Sequence, residues 1–361
     1  MMTGWQSLAE ELAGRTLELC RIPSPIGEER RIADWIEAWA RKHFPAGQVF
    51  RLSNSLAVGD LAAGRPTVAL IGHLDTIPAH PSDSAPRIEG ERILGRGSSD
   101  MKGGLAVMMA LGEALHRDEL PYNLVLIFYE REEGPYQESG LGPLFERLPA
   151  LKGLALGIAL EPTDGVVQVG CVGSIHARLR LFGRSAHSAR PWQGENAIHK
   201  AGPLLTQLLS LSPKDVSLGG VTFREVFSIT QASGGRARNV VPDLLEMNLN
   251  YRFAPGKTVA EAQEDVRRLV GSRAEIEFVD AAPSGRVCVT NRLFQKLLAA
   301  TGLPAAAKQA WTDVARFSEF GVDAINFGPG ETDQAHQKDE SAPTGPLAVV
   351  FEQLSRFLRA P

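Results

Sequence analysis

The chain reads as an α/β protein in which a layered α/β domain is interrupted by a smaller α+β domain. Three observations predict this. Short apolar runs bounded by turn residues alternate with helical patterns up to about Gly173, as in a buried and largely parallel sheet. Beyond it, Ser174–Phe182 alternates Ile175, Ala177, Leu179 and Leu181 with His176, Arg178 and Arg180, the pattern of a half-exposed antiparallel strand. From about Ser284 the first character returns.

The elements follow in order. Met1–Cys20 carries Glu10, Glu11 and Glu18 among apolar residues, which suits an amphipathic helix and not a signal peptide. A helix is expected over Glu28–Phe44, where Ile32, Trp35, Ile36 and Trp39 recur at helical spacing behind the break at Pro25 and Gly27. Thr67–Gly72 is a strand running into His73, Lys102–Arg117 a helix opened by Gly103-Gly104, and Leu124–Tyr129 and Leu154–Leu160 two further strands. In the insertion, Ser174–Phe182 precedes a helix over Glu195–Leu211 and strands at Glu225–Gln231 and Leu244–Phe253. A helix at Val259–Val270 and a strand at Ala274–Val279 complete a β-α-β-β-α-β order, the ferredoxin-like motif. A helix at Arg292–Ala300, a strand at Ala324–Phe327 and a helix near Pro346–Leu358 close the chain. The expected domains are residues 1–173 with 284–361, and an inserted 174–283.

A length of 361 residues is generous for one core, and 43% apolar with 22% charged residues is an ordinary globular composition. A net charge of −4, with no basic stripe carrying interleaved aromatics, argues against nucleic acid as a partner. No segment approaches the ~18 uninterrupted apolar residues of a membrane helix. The three cysteines, Cys20, Cys171 and Cys288, form neither a metal knuckle nor a disulfide framework, so a cytoplasmic setting is expected.

Four of the apolar runs finish in metal-type ligands: His73, Glu132-Glu133, Glu161, and His336 beyond a Gly-Pro-Gly loop. In open α/β sheets the functional crevice lies at these carboxyl ends. His73 and Asp75, two apart, point to the same side. Asp75 is either a residue that fixes the tautomer of His73 or simple turn chemistry. The Gly-rich Gly95–Gly104 segment lacks both the Walker and the dinucleotide spacing, so phosphate is a weak reading. Asp100 within it is an N-cap or, given other ligands, a carboxylate bridging two ions. Adjacent acids usually lie on a solvated face, but leaving a buried strand they are unfavourable without a cation, and one of Glu132 and Glu133 could then ligate while the other stays free as general base. This N/O donor set suits Zn²⁺, Co²⁺ or Mn²⁺. Two ions sharing a carboxylate sit ~3.5–4 Å apart and acidify water, whose proton a neighbouring Glu passes to a leaving group. That chemistry is hydrolysis of an amide or ester.

The segments Gly72–Pro78, Gly95–Gly104, Glu132–Gly134, Glu161–Thr163 and Ala335-His336, in this order, resemble the co-catalytic metallo-aminoacylase/carboxypeptidase family. That family contains acetylornithine deacetylases, succinyl-diaminopimelate desuccinylases, aminoacylases and dipeptidases. The resemblance implies a zinc-hydrolase catalytic domain with an inserted dimerisation or lid domain, and two Zn²⁺ per subunit with Co²⁺ or Mn²⁺ able to substitute. Asp100 would bridge the ions, His73 and Glu161 would complete one shell, and Glu133 and His336 the other. Glu132 would be general base and acid, with Asp75 orienting His73. His187, in Gly183–Pro191, would stabilise the oxyanion from the partner subunit of a homodimer; without the resemblance it reads as a surface histidine. Asn239 and Arg252 match family positions for substrate polar and carboxylate groups, although Arg252 also reads as a strand-face residue.

Ala186–Lys200, Trp311–Phe317 and Asn326–Gly330 resemble the desuccinylases of Gram-positive type, which places Gly328 on the substrate side. The substrate implied is a small N-acyl amino acid, N-succinyl-LL-2,6-diaminopimelate, in lysine biosynthesis. The chain departs from better-studied desuccinylases at Cys171–Ser174, where those carry consecutive arginines, so Arg178, Arg190 and Arg238 are candidate replacements. Acetylornithine deacetylase or another acyl-amino-acid hydrolase is the alternative. A relative that has lost catalysis is opposed by the intact Glu132.

Overall fold

The strand β1 (Thr67–His73) is buried from Val68 to its end. It is apolar on both faces because it lies inside an eight-stranded sheet and not at an edge. β2 (Asn123–Tyr129) and β3 (Leu156–Ala159) flank it, and β4 (Ala324–Asn326) follows β3. All four are parallel, with His73 opposite Tyr129, Ile71 opposite Ala159, and Ala159 opposite Asn326. The register brings their carboxyl ends to one edge. Val49–Leu52 and Ser55–Val58 extend the sheet beyond β2, and Val167–Val169 and Ala305–Ala307 beyond β4.

The structure is a computed structural model that describes residues 4–62 and 64–360. It divides into two units: Met1–Gly170 with Arg286–Lys308 and Thr312–Pro361, and Cys171–Gly285 with Gln309–Trp311. The expected N-terminal helix spans Gly4–Cys20, and Met1–Thr3 lie outside the described residues. The helix expected from Lys102 begins at Gly103, because Ser98–Lys102 first makes a π-type turn entered through Gly97 at φ 81°. It ends at Ala114, and Gly103–Gly112 are buried throughout.

In the second unit a five-stranded antiparallel sheet runs Lys214–Leu218, Val221–Gly234, Leu244–Phe253, Gly173–Phe182, Glu275–Ala282. One face carries Ile175, Ala177, Leu179, Leu249 and Tyr251 into a core closed by Leu204, Ala262 and Val266 of the helices. The β-α-β-β-α-β order is thus extended by one strand, Lys214–Leu218, paired through a hairpin whose Gly219 and Gly220 both hold positive φ. The helix expected over Glu195–Leu211 is two helices, Ala197–Lys200 and Gly202–Ser210. Asn196 caps the first through its side chain, and Pro203 opens the second.

Candidate active site

His73 ends β1 and is buried. Its Nδ1–H donates to the carbonyl of Asp75 at 3.0 Å, which leaves the Nε2 lone pair facing inward. Nε2 lies 3.1 Å from Asp100 Oδ1 and 3.9 Å from Glu161 Oε1. The second oxygen of Asp100 lies 3.9 Å from His336 Nε2, which is also 2.9 Å from the Glu133 carboxylate. The two Asp100 oxygens therefore face one histidine each, the arrangement a bridging carboxylate needs. His73, Asp100 and Glu133 each offer a ligand atom within 4.8 Å of the others. Glu161 Oε1 is buried without a hydrogen-bond partner.

The charges in this group are far from neutral balance. Burial, with Asp100 beside it, pushes the Glu161 carboxyl up to about 7. Burial also drives Glu132 well above the usual carboxylate range. There His73 opposes the shift, while Glu161, Glu133 and Asp313 reinforce it. Burial works against a charged His73, but its hydrogen bonds to Asp100 and Asp75 and the nearby Glu161 charge outweigh it, and its pKa is raised well above normal. His336 is raised chiefly by its hydrogen bond to Glu133. Carboxyl groups raised by burial and by one another fit a site built for divalent cations, as does the partnerless oxygen of Glu161.

The Asp75 carboxylate has a task beyond the one expected from the sequence. It accepts the main-chain N–H groups of Glu132 at 3.0 Å and Glu133 at 2.9 Å, and its Oδ1 stands 3.6 Å from His73 Nδ1. Two residues in this region carry no signal in the spacing. Buried Lys308 donates to the Pro162 carbonyl at 2.8 Å, and its charge lowers both Asp100 and Glu161. Buried Asp313, paired with Arg316 at 2.9 Å, helps raise Glu132. Both Asp313 and Arg316 fall in the Trp311–Phe317 segment, where only the pattern as a whole stood out.

The substrate-side candidates are placed differently. Gly328 is buried, and the Thr163 hydroxyl engages both its carbonyl at 3.0 Å and its N–H at 3.3 Å. A Cβ there would stand 2.2 Å from the Leu160 carbonyl oxygen, so the close packing of main chain on main chain at this position requires a glycine. In the second unit, His187 Nδ1 accepts the Ala189 N–H at 3.0 Å, which places the ring proton on Nε2. Asn239, in the strap beside it, takes the Ser188 N–H on its carbonyl at 2.9 Å. Arg252 lies opposite Ser174 and donates to Asn250 at 3.0 Å, and burial lowers its pKa. Arg178 is paired across the sheet with Glu277 at 3.1 Å.

Residues 69–360 match the model of Peptidase family M20/M25/M40. The chain belongs to this family. It is accordingly a metal-dependent hydrolase of linear amides, with a small molecule as substrate. It is 37% identical over 351 residues to a succinyl-diaminopimelate desuccinylase of Corynebacterium glutamicum, covering 95% of each chain. It resembles the fold of an M20 family metallo-carboxypeptidase from Sulfolobus solfataricus, with a TM-score of 0.76, 16% identity and 99% of each chain covered. A dinuclear metal binding peptidase of the M20 family from Bacillus subtilis gives a TM-score of 0.68 at 16% identity, with 98% of each chain covered.

Proposed function

We propose that this chain is a dinuclear zinc amidohydrolase that cleaves N-succinyl-LL-2,6-diaminopimelate into succinate and LL-2,6-diaminopimelate. The observation that carries the chemistry is Asp100 facing His73 with one oxygen and His336 with the other, with Glu161 and Glu133 alongside. His73 and Glu161 would hold one ion, Glu133 and His336 the other, with Asp100 shared. Ions bound there supply Lewis-acid polarisation of the scissile carbonyl and acidification of water. Co²⁺ and Mn²⁺ are accepted by the same donors.

The chain's own residues do the rest. Glu132, whose carboxyl already favours the proton, takes one from the attacking water and returns it to the leaving nitrogen. Asp75 fixes where that carboxyl starts by tying down its main chain. His187, with its proton on Nε2, is the proposed donor to the developing oxyanion. We read residues 174–283 as the lid and dimerisation domain of a cytoplasmic homodimer in which the partner supplies this histidine. Asn239 and Arg252 are the proposed contacts for substrate polar and carboxylate groups.

Succinate as the acyl group rests on the 37% identity to the Corynebacterium desuccinylase. The test is a panel on ion-loaded protein that sets N-succinyl-LL-2,6-diaminopimelate beside N-acetylornithine and dipeptides. Preferred turnover of the succinyl compound supports the reading. Faster turnover of a competitor rejects the substrate while leaving the amide chemistry standing.

A further inference from the structure

We infer that Glu340 is a positioning residue, one whose carboxylate clamps the Asp100 loop to the His336 loop and so sets the spacing on which ion binding depends. This rests on the ion site proposed above and names a residue outside its ligand set. Glu340 is 2% exposed. Its Oε2 accepts the Gly97 N–H at 2.8 Å, and its Oε1 accepts those of Ser99 at 2.9 Å and Asp100 at 3.0 Å. Its own carbonyl takes the Gly95 N–H at 2.9 Å. One residue thus fixes the main chain that leads into the turn, from Gly95 up to Asp100 itself.

The other end of the clamp is just as firmly held. His336 precedes Glu340 by four residues and sits at φ 64°, as Asp339 sits at φ 52°. Such values are uncommon for non-glycine residues, although histidine and aspartate reach them more readily than most. Here Arg96 donates to the Gln337 carbonyl at 2.9 Å and pairs with Asp83 at 2.7 Å. Asp83 in turn accepts the Asp339 N–H at 3.0 Å. The 3.9 Å between Asp100 Oδ2 and His336 Nε2 is therefore the gap between two loops that meet at Glu340.

A carboxylate is required for this geometry. Glutamine has the same volume, but only one of its terminal atoms accepts. Turned one way, its amide nitrogen meets the Gly97 N–H; turned the other, it meets those of Ser99 and Asp100. Each choice strips at least one donor of its acceptor in a buried place. The Asp100 loop then loses its fixed distance from His336, while the cores of both units are untouched.

The experiment uses chelator-treated full-length chain, wild type and Glu340→Gln, titrated with Zn²⁺ by calorimetry and with Co²⁺ by absorption, with circular dichroism as the fold control. Supporting residues of metal ligands characteristically contribute about 10–100-fold in affinity, and Glu340→Gln is expected to lose that much together with a changed Co²⁺ spectrum. Glu340→Asp, which keeps the charge and shortens the reach, falls between and serves if the Gln form does not fold. Glu113→Gln removes another carboxylate network, to Arg15 and Trp39, and keeps wild-type ion affinity. A folded Glu340→Gln, or Glu340→Asp in its stead, with wild-type affinity and spectrum overturns the inference, as does an equal loss in Glu113→Gln. A wild-type chain that takes up no ion overturns the ion site itself.

Discussion

Asp75 holds Glu132 by its main chain: Oδ1 accepts the Glu132 N–H at 3.0 Å, and Oδ2 takes the next N–H, that of Glu133, at 2.9 Å. The proposed base and a proposed ligand thus hang from one buried carboxylate. The main-chain carbonyl of the same residue meets the imidazole of His73.

This division of labour separates two effects in one variant. Asp75→Asn keeps the carbonyl that steadies His73 but turns one acceptor towards an N–H as a donor. At saturating ions kcat is expected to fall about 10²-fold, the scale of loss from small misplacement of a reacting group, while ion affinity weakens because Glu133 hangs from the same fork. Metal analysis alongside initial rates checks both halves. Wild-type kcat in the ion-saturated variant would return Asp75 to the simpler role of orienting His73.

Glu132→Gln addresses the base directly. It removes the proton acceptor while leaving every proposed ligand in place. General acid–base groups contribute typically about 10²–10⁴-fold, so kcat is expected to fall within that range at unchanged ion stoichiometry. Substantial residual turnover would assign the proton transfer elsewhere.

Much of this site is legible in the sequence because a parallel strand buried on both faces must be apolar throughout, so the first histidine or acid marks where it emerges. His73, Glu133 and Glu161 all announce themselves in this way. The fork at Asp75 does not, because its acceptors serve main-chain N–H groups, which leave no residue pattern. Glu340 is equally silent, since its bond to Asp100 joins residues 240 positions apart. The packing demand at Gly328 is silent too, because a glycine that lets main chain approach main chain looks in sequence like any other loop glycine. The edge strand Lys214–Leu218 had its hairpin signal in Gly219-Gly220, but largely exposed strand residues hide the alternation.

The protons stored in the ion-free site set a pH dependence. The Glu161 carboxyl, raised from 4.5 to about 7, stabilises the fold below its unfolded value, and that contribution is lost as pH rises through about 7. His73, raised above 6.5, acts in the same direction: its contribution is present below 6.5 and is lost at higher pH. Chelator-treated protein should therefore melt at a lower temperature at pH 8 than at pH 6, and added Zn²⁺ should close the gap by replacing those protons. Ion affinity should weaken as pH falls through about 7, with proton release seen by calorimetry in two buffers. A melting point that rises from pH 6 to pH 8 without ions would contradict this account.

Gly104 tests how tightly the helix after Asp100 must seat. A Cβ there would stand 2.4 Å from the Leu160 carbonyl oxygen and 2.9 Å from the Leu160 Cβ. Alanine in a helix interior is ordinarily favourable by about 1 kcal/mol over glycine. Here the obstacle is main chain at the end of β3, which cannot swing aside as a side chain can. Overpacking typically costs about 1–3 kcal/mol, so Gly104→Ala is expected to be destabilising on balance when measured by denaturant unfolding. The same displacement separates the segment carrying Asp100 from Glu161, the residue after Leu160, and ion affinity should fall with it. A variant as stable as wild type, with ions bound as tightly, would mean that the helix can shift without carrying the site along.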